Sequence, residues 1–194
     1  MKRFKGTKGV ILLCIMVLLI VGYYYHLSNR TVPEKEEVSE EEVLTEVQKV
    51  LVRNLETNYP QTPREVVKYF SEITKCLYNE ELTDEEVYDL GMKLRELYDD
   101  ELIANQSEED YIEQLKADVV TSHTKDQDLF NYTLSSSVDV ETYTQDGYEW
   151  AKLHCIYGVR QNKLLYNSDT VFLLRKDADE HYKIYGWQLV KKDE

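Results

Sequence analysis

The chain has 194 residues and a formal net charge of −14, with 37 acidic and 23 basic side chains. Residues 1–30 hold five basic and no acidic side chains, so residues 31–194 carry a net charge of −19. Nucleic-acid binding needs Lys and Arg to replace the counterions of the phosphates, so we expect no nucleic-acid partner. About 150 residues follow the N-terminal segment, enough for one domain with a hydrophobic core.

Val10–Leu27 is an uncharged, mostly apolar run, close to the roughly twenty residues with which a helix crosses a bilayer. Four basic residues precede it and acidic residues follow it, so the positive-inside rule predicts a cytoplasmic N-terminus and an exported C-terminal part. We therefore predict a single-pass cell-membrane protein that contacts the lipid bilayer through this run. Its parts are a cytoplasmic tail at 1–9, the transmembrane helix at 10–27, a tether at 28–40 and an extracellular domain at 41–194.

A cleaved signal peptide is the alternative reading of this segment, because it shares the basic start and the apolar middle. No small-residue triplet of the kind that signal peptidase cleaves follows the run, which favours an uncleaved anchor. Outside the run, Cys76 and Cys155 would face an oxidising compartment, where a disulfide is permitted. Two lone cysteines so far apart in sequence are more often separate buried thiols, and both alternatives stay open at this point.

A helix-capping pattern recurs four times between residues 39 and 110. A Ser or Thr is followed three residues later by an acidic residue, and apolar residues with helical spacing come next. The four pairs are Ser39 with Glu42, Thr62 with Glu65, Thr83 with Glu86, and Ser107 with Asp110. This pattern predicts four helices, whose apolar stripes we interpret as core-facing. A groove for a partner helix is the alternative.

From about Phe130 the sequence takes on the composition of strands. The predicted strands are Ser135–Thr142, Tyr148–Val159, Leu164–Arg175 and His181–Val190. Asp146-Gly147 predicts a two-residue hairpin turn between the first two strands. Helices followed by four strands with short connections predict an α+β fold, with the helices packed on a four-stranded antiparallel sheet.

The last two predicted strands, TVFLLRKDADEHYKIYGWQLV (Thr170–Val190), resemble the end of the curved sheet in the NTF2-like superfamily. Taken with the helices before them, the resemblance extends over Thr62–Val190. It implies that the sheet curls into a cone closed by the helices. It carries no diagnostic catalytic motif.

A narrower resemblance rests on TPREVVKYFSEITKCLYNEELTDEE, LYDDELIANQ and FLLRKD with YGWQL. These segments resemble an uncharacterised family of single-span, extracytoplasmic proteins of Gram-positive bacteria, a domain of unknown function. The layout of tail, span and exported domain also resembles assembly proteins of conjugation and type IV secretion. That likeness implies an envelope-complex component by analogy of architecture alone.

Enzymes on the NTF2-like scaffold place an acid or a base inside the cone, which makes Asp139, His123 and His154 the candidates here. Alternate residues of a strand share a face, so His154 is predicted to point away from Tyr157, with no carboxylate at a matching position. The segment from Asp177 to His181 lacks the glycine and the final glutamate of a calcium loop. The histidines show no zinc-ligand spacing with the cysteines. We therefore expect no catalytic residue, no metal site and no cofactor.

Sixteen tyrosines are spread along the chain, and we interpret most of them as half-buried side chains with hydroxyls that reach water. A ligand-binding aromatic face is the alternative, with Tyr143, Tyr157 and Trp187 as candidates on the concave side of the sheet. We expect apolar side chains of the helices to fill that cone.

The function predicted from the sequence is a membrane-anchored, non-catalytic extracytoplasmic module that binds an unknown ligand or partner. The first alternative is an assembly subunit of a cell-envelope complex, which acts through self-association or a protein partner. The second is a small-molecule enzyme within an NTF2-like cone.

Overall fold

A computed structural model describes residues 44–190 of the protein. This part is mixed α+β, with helices first and one antiparallel sheet after them. The helices are α1 (Glu46–Leu51), α2 (Pro63–Asn79), α3 (Asp84–Arg95), α4 (Asp100–Ala104) and α5 (Glu108–Thr124). The strands are β1 (Gln127–Leu134), β2 (Glu141–Gln145), β3 (Tyr148–Gln161), β4 (Leu164–Lys176) and β5 (Tyr182–Leu189).

Three of the four predicted helix caps are confirmed. The hydroxyls of Thr62, Thr83 and Ser107 each accept a hydrogen bond from the backbone amide three residues on, at 3.1–3.2 Å. These bonds satisfy amides that have no partner inside the helix. The caps therefore set where α2, α3 and α5 begin.

The predicted start of the first helix is wrong, and one short helix was missed. Ser39 lies outside the described residues, but α1 begins only after Thr45, whose extended backbone and capping box with Gln48 make it the N-cap. The helix α4 was not predicted. Its N-cap is Asp99, whose carboxylate accepts from the amide of Glu101 at 3.0 Å.

The sheet has five strands and not the predicted four. The predicted strand Ser135–Thr142 is wrong over most of its length, because Ser137–Asp139 forms a 3-10 turn. A strand was missed just before it, β1, and the chain resumes as β2 after the turn. Both strands pair antiparallel with β3: β1 with its second half and β2 with its first half. Together they form one interrupted strand along a single edge of β3.

The last three strands are antiparallel neighbours in chain order, as predicted: β4 lies between β3 and β5. The Asp146-Gly147 turn is confirmed, with positive φ at both residues, 52° and 82°. A second two-residue turn at Asn162 and Lys163 also has positive φ at both residues and joins β3 to β4. Such turns match the twist of the flanking strands and fix the register of each hairpin.

The outer edge of β5 is covered by the loop between α3 and α4. Ile184 donates its amide hydrogen to the carbonyl of Leu97 at 2.8 Å, and Asp99 donates to the carbonyl of Ile184 at 2.9 Å. At the other edge, the side-chain amide of Asn79 pairs with both backbone groups of Leu129, at 2.9 Å each. Helical segments therefore attach to the sheet at both of its sides.

The core lies between one face of the sheet and the helices. In β3, the odd-numbered residues Ala151, Leu153 and Cys155 are buried, and the even-numbered neighbours face the opposite side. The helix α3 packs closely against α5 at Gly91, where a Cβ atom would lie 2.7 Å from a methyl of Leu115. This close approach brings the two helices together over the sheet.

Cys76 and Cys155 are both free and buried, so the reading of them as separate thiols is confirmed. Burial raises the pKa of the Cys76 thiol to about 11. None of the helices in residues 44–190 has the length and hydrophobicity of a membrane span. The predicted span Val10–Leu27, with the tail and the tether, lies outside these residues and stays a prediction.

Candidate functional site: an apolar cavity between the helices and the sheet

A cavity of about 690 Å³ lies between the helix-facing side of the sheet and helices α2 to α5. Most of its lining is aliphatic or aromatic. The residues of that kind are Phe70, Leu77, Tyr78, Leu94, Tyr98, Leu102, Ile103, Tyr111, Leu115, Leu129, Tyr157, Val159, Tyr166, Phe172, Trp187 and Leu189. The sequence prediction that the helices fill the cone is therefore wrong, because the space above this part of the sheet is only partly occupied.

Four aromatic side chains form one wall of the cavity. Phe70 of α2 lies 5.2 Å from Phe172 and 5.5 Å from Trp187, measured between ring centroids. Tyr98, just after α3, lies 5.7 Å from Trp187. Phe172 and Trp187 are register partners on β4 and β5, which places both rings on the same face of the sheet. Rings at these separations attract one another and form a rigid apolar surface.

The cavity lining is most exposed where the start of β4 meets the end of β5. Phe172 deep in the wall is 1% exposed, whereas Trp187 is 46% exposed and Tyr166 and Leu189 are exposed as well. On the helix side, Gln114 of α5 accepts a hydrogen bond from the side chain of Gln106 at 3.1 Å. The rim therefore combines apolar rings on the strands with amides on the helices.

Tyr157 lies on the floor of the cavity, where α2 crosses β3. Its hydroxyl lies 2.8 Å from the hydroxyl of Ser71, which also donates to the carbonyl of Val67 at 2.7 Å. Burial is the main cause that raises the pKa of Tyr157 well above its usual range. Burial also raises the pKa of Tyr98 in the aromatic wall. Both phenols therefore keep their protons near neutral pH.

Two charged side chains line the cavity, Arg95 at the end of α3 and Asp118 of α5. The guanidinium of Arg95 lies 5.8 Å from the centroid of the Tyr111 ring. Asp118 lies toward Tyr78, where its carboxylate adds to the effect of burial and raises the pKa of that tyrosine. The two charges thus mark different parts of the cavity.

Of the three predicted ligand-binding residues, the structure brings two together. Tyr157 and Trp187 both line the cavity. Tyr143 lies on the opposite face of the sheet, because it is the register partner of Trp150, which faces away from the helices. Tyr143 is 41% exposed and its ring stacks on that of Trp150 at 6.5 Å. It has no place in the cavity, which corrects its assignment to the concave side.

On the sheet face that carries Tyr143, the guanidinium of Arg175 lies among aromatic rings. The guanidinium carbon of Arg175 lies 4.6 Å from the ring centroid of Tyr148 and 5.1 Å from that of Tyr185. The same guanidinium donates two hydrogen bonds to Asp99, at 2.6 and 2.9 Å, and a third to Glu101 at 2.7 Å. Because the guanidinium of Arg175 already packs against these rings, we interpret the aromatic cluster as a structural contact and not as a ligand site.

The candidate acid–base residues lie away from the cavity. Asp139 is exposed in the 3-10 turn, and His123 is exposed in the last turn of α5. His154 is on the outer face of β3, as predicted, but the expectation that it has no carboxylate nearby is wrong. Its Nδ1 lies 3.0 Å from a carboxylate oxygen of Asp169. Residues 44–190 contain no group of three His, Cys, Asp or Glu side chains that could hold a metal ion.

Four site residues were not predicted from the sequence: Phe70, Tyr98, Phe172 and Arg95. The first two belong to predicted apolar stripes, and such stripes do not distinguish a filled core from a cavity wall. Alternation along β4 places Phe172 on the face of Leu174, which is the helix-facing side. Arg95 gave no signal beyond its place in the last turn of a helix, where a cation is common.

Comparison with known proteins gives one family. A family model described as a domain of unknown function, DUF6715, matches residues 1–187. No curated protein matches the chain.

Proposed function

Since the chain belongs to the family DUF6715, a domain of unknown function, we propose a function from the cavity itself. The protein is a membrane-anchored, non-catalytic module that binds a small apolar molecule between the helices and the sheet. The single observation that carries this proposal is the cavity of about 690 Å³ with its aromatic wall. Ligand pockets are roughly 300–1,000 Å³ in volume and are mostly lined by apolar and aromatic side chains.

The positions of the acid–base candidates support binding over catalysis. Asp139, His123 and His154 do not line the cavity. The phenols of Tyr98 and Tyr157 do line it, but a phenol is protonated at neutral pH, and burial raises their pKa further. A general base has to accept a proton near the working pH, which neither phenol does.

We place this module outside the cell membrane on the strength of the sequence. The run Val10–Leu27 and the basic residues before it favour a single-pass anchor with an extracytoplasmic domain, as in Gram-positive envelope proteins. An NTF2-like cone is the fold variant that we propose for residues 62–190, since helices cover one face of an antiparallel sheet with a cavity between them.

The experiment uses the full chain in nanodiscs of a zwitterionic lipid and the neutral fluorophore N-phenyl-1-naphthylamine. The chain has two tryptophans, Trp150 and Trp187, and only the second lines the cavity. In a Trp150→Phe background, energy transfer therefore comes from Trp187 alone, and its saturation distinguishes probe bound at a site from probe dissolved in lipid. We expect saturable transfer.

A pair of adjacent substitutions on β4 tests the location. Ser168 lines the cavity, whereas its neighbour Asn167 is exposed on the opposite face. Because an added ring takes up cavity space, Ser168→Phe should weaken probe binding roughly five- to tenfold. Asn167→Phe should leave it within twofold. Equal effects of the two substitutions, or transfer that does not saturate, would remove the support for a ligand cavity.

A second candidate function is assembly through strand pairing, and one observation favours it. Within residues 44–190, the first half of β4, before Asp169, pairs only with β3, because β5 begins to pair at Thr170 and Val190 donates to the carbonyl of Asp169. Leu164 and Leu165 are exposed on this half. An unpaired apolar edge can add a strand from another molecule. We propose that its partner is the same edge of a second copy.

A further inference from the structure

Arg95 is a cation at the cavity with no anionic partner in residues 44–190. The other four arginines of this range each donate a hydrogen bond to a carboxylate or a backbone carbonyl. Arg95 makes no such bond there, and its guanidinium carbon lies 5.8 Å from the centroid of the Tyr111 ring. In a chain of net charge −14, an arginine left without a carboxylate is available to an anion from outside.

Asp118 is the acidic residue that lines the cavity, and it lies apart from Arg95 along α5, so it does not neutralise the guanidinium. Tyr111, Gln114, Leu115 and Asp118 are the residues of α5 that line the cavity. Tyr111 and Asp118 are seven residues apart, which is about 10 Å along a helix. Arg95 lies over Tyr111, so an anion bound there is about two helical turns from the Asp118 carboxylate.

The space beside Arg95 is apolar. Tyr98 packs edge-on against Tyr111 at 6.1 Å, and Leu102 and Ile103 of α4 also line the cavity. An ion without an apolar body would leave this surface uncovered, and a fully apolar ligand would leave the guanidinium without a partner. Few polar groups in a mostly apolar pocket fix the orientation of a ligand.

We propose that the cavity binds an apolar molecule that carries one oxyanion, with the anionic group on the guanidinium of Arg95. The apolar body lies against the aromatic wall of Phe70, Phe172 and Trp187. This inference rests on the proposed binding function and specifies its ligand class. Arginine suits the role because its guanidinium donates paired hydrogen bonds to a carboxylate or a sulfonate.

Two fluorophores with one skeleton test the assignment in the same nanodiscs and Trp150→Phe background. 1-Anilinonaphthalene-8-sulfonate carries an oxyanion that N-phenyl-1-naphthylamine lacks. Because a hydrogen bond to a charged group is lost, Arg95→Gln should weaken binding of the anionic probe roughly tenfold or more. Binding of the neutral probe should stay within twofold. Arg95→Lys, which keeps the charge, should recover part of the anionic affinity.

Lys125→Gln is the control for net charge, since Lys125 is exposed and does not line the cavity. It should change neither affinity more than twofold. An Arg95→Gln variant that binds both probes as before, or loses both equally, overturns the anion assignment while the cavity function stands. Absence of saturable transfer from either probe, in the parent protein, overturns the cavity function itself.

Discussion

Gly158 on β3 is a position where a single methyl group has no room. A Cβ atom there would lie 2.0 Å from the side-chain oxygen of Asn131 and 2.6 Å from the Phe130 ring. Both neighbours belong to the irregular part of β1, where the register shifts between Leu129 and Asn131. The ring of Phe130 therefore occupies the space that a side chain at 158 would need.

Gly158→Ala should lower the free energy of unfolding by about 0.5–1.5 kcal/mol, because the side chains of Phe130 and Asn131 have to leave their present positions. Gly186→Ala is the matched control, since a Cβ atom on Gly186 would meet nothing within 4 Å. It should change stability by less than about 0.5 kcal/mol. Urea unfolding followed by far-ultraviolet circular dichroism measures both. Similar losses for the two variants would contradict this account of Gly158.

The face on which Tyr143 lies follows from the hairpin turn that precedes β3. A two-residue turn at Asp146-Gly147 makes Gln145 and Tyr148 partners, which puts Tyr143 opposite Trp150. Alternation along β3 already separates Trp150 from Tyr157. The same counting from the Asn162-Lys163 turn places Asp169 diagonally across from His154. Both corrections were available from turn geometry.

At the scale of elements, the helices were easier to predict than the first strands. Hydroxyl caps at Thr62, Thr83 and Ser107 are local signals, since each bond spans three residues. β1 follows α5 after two turn residues, Lys125 and Asp126, the second of which has a φ of 46°. No glycine or proline marks that change of direction. The strand was missed because its pairing with β3 depends on contacts distant in sequence.

The unpaired half of β4 makes the assembly candidate testable. If two copies join there, the full chain in nanodiscs or mild detergent should be a dimer. Its dissociation constant should rise roughly tenfold or more in Leu165→Lys. The reason is that Leu165 is 66% exposed on this half and a lysine charge opposes close pairing. Light scattering during size exclusion gives the mass as a function of concentration.

Val138→Lys is the control for that experiment. Val138 is 89% exposed in the 3-10 turn between β1 and β2, on the far side of β3 from β4. The Val138→Lys substitution also replaces an exposed apolar residue by lysine, but it does so away from the β4 edge. A monomer at every concentration, or equal effects of the two lysines, would exclude pairing through β4.

Buried tyrosines make the stability of the entire fold sensitive to alkali. Burial raises the pKa of Tyr69 to about 12, and it is the main cause of the same value at Tyr132. A tyrosine in the unfolded chain has a pKa near 10. The folded state therefore holds these protons more tightly. The stability they contribute is complete below pH 10 and is lost as the pH rises toward 12.

We expect the free energy of unfolding to begin to fall between pH 8 and 9, because the buried Cys76 thiol keeps a proton that the unfolded thiol loses. It should fall further above pH 10, by about 1 kcal/mol at pH 11 for Tyr69 alone. Urea titrations of the full chain in a non-ionic detergent measure this. Tyr69→Phe loses the hydrogen bond to Val50 but should show a shallower decline. A decline as steep as that of the parent would assign the alkaline loss to other groups.

Composition, periodicity and turn signals predicted the class of the fold, but the cavity was beyond them. The width of the gap between a helix and the sheet depends on contacts between helices, such as the close approach of α3 to α5 at Gly91. Apolar stripes look alike whether that gap is narrow or wide. Only the three-dimensional distance between α5 and the aromatic wall distinguishes a ligand site from ordinary core.

The cavity also has a consequence for how long the protein survives in its surroundings. Side chains around an empty space forgo contacts that a filled core would provide, so the unliganded fold is less stable than it could be. A ligand that binds only the folded chain stabilises it by mass action, by about 2.7 kcal/mol at a hundred times its dissociation constant. Resistance to proteolysis would then rise with the supply of ligand, and the abundance of the protein would follow that supply.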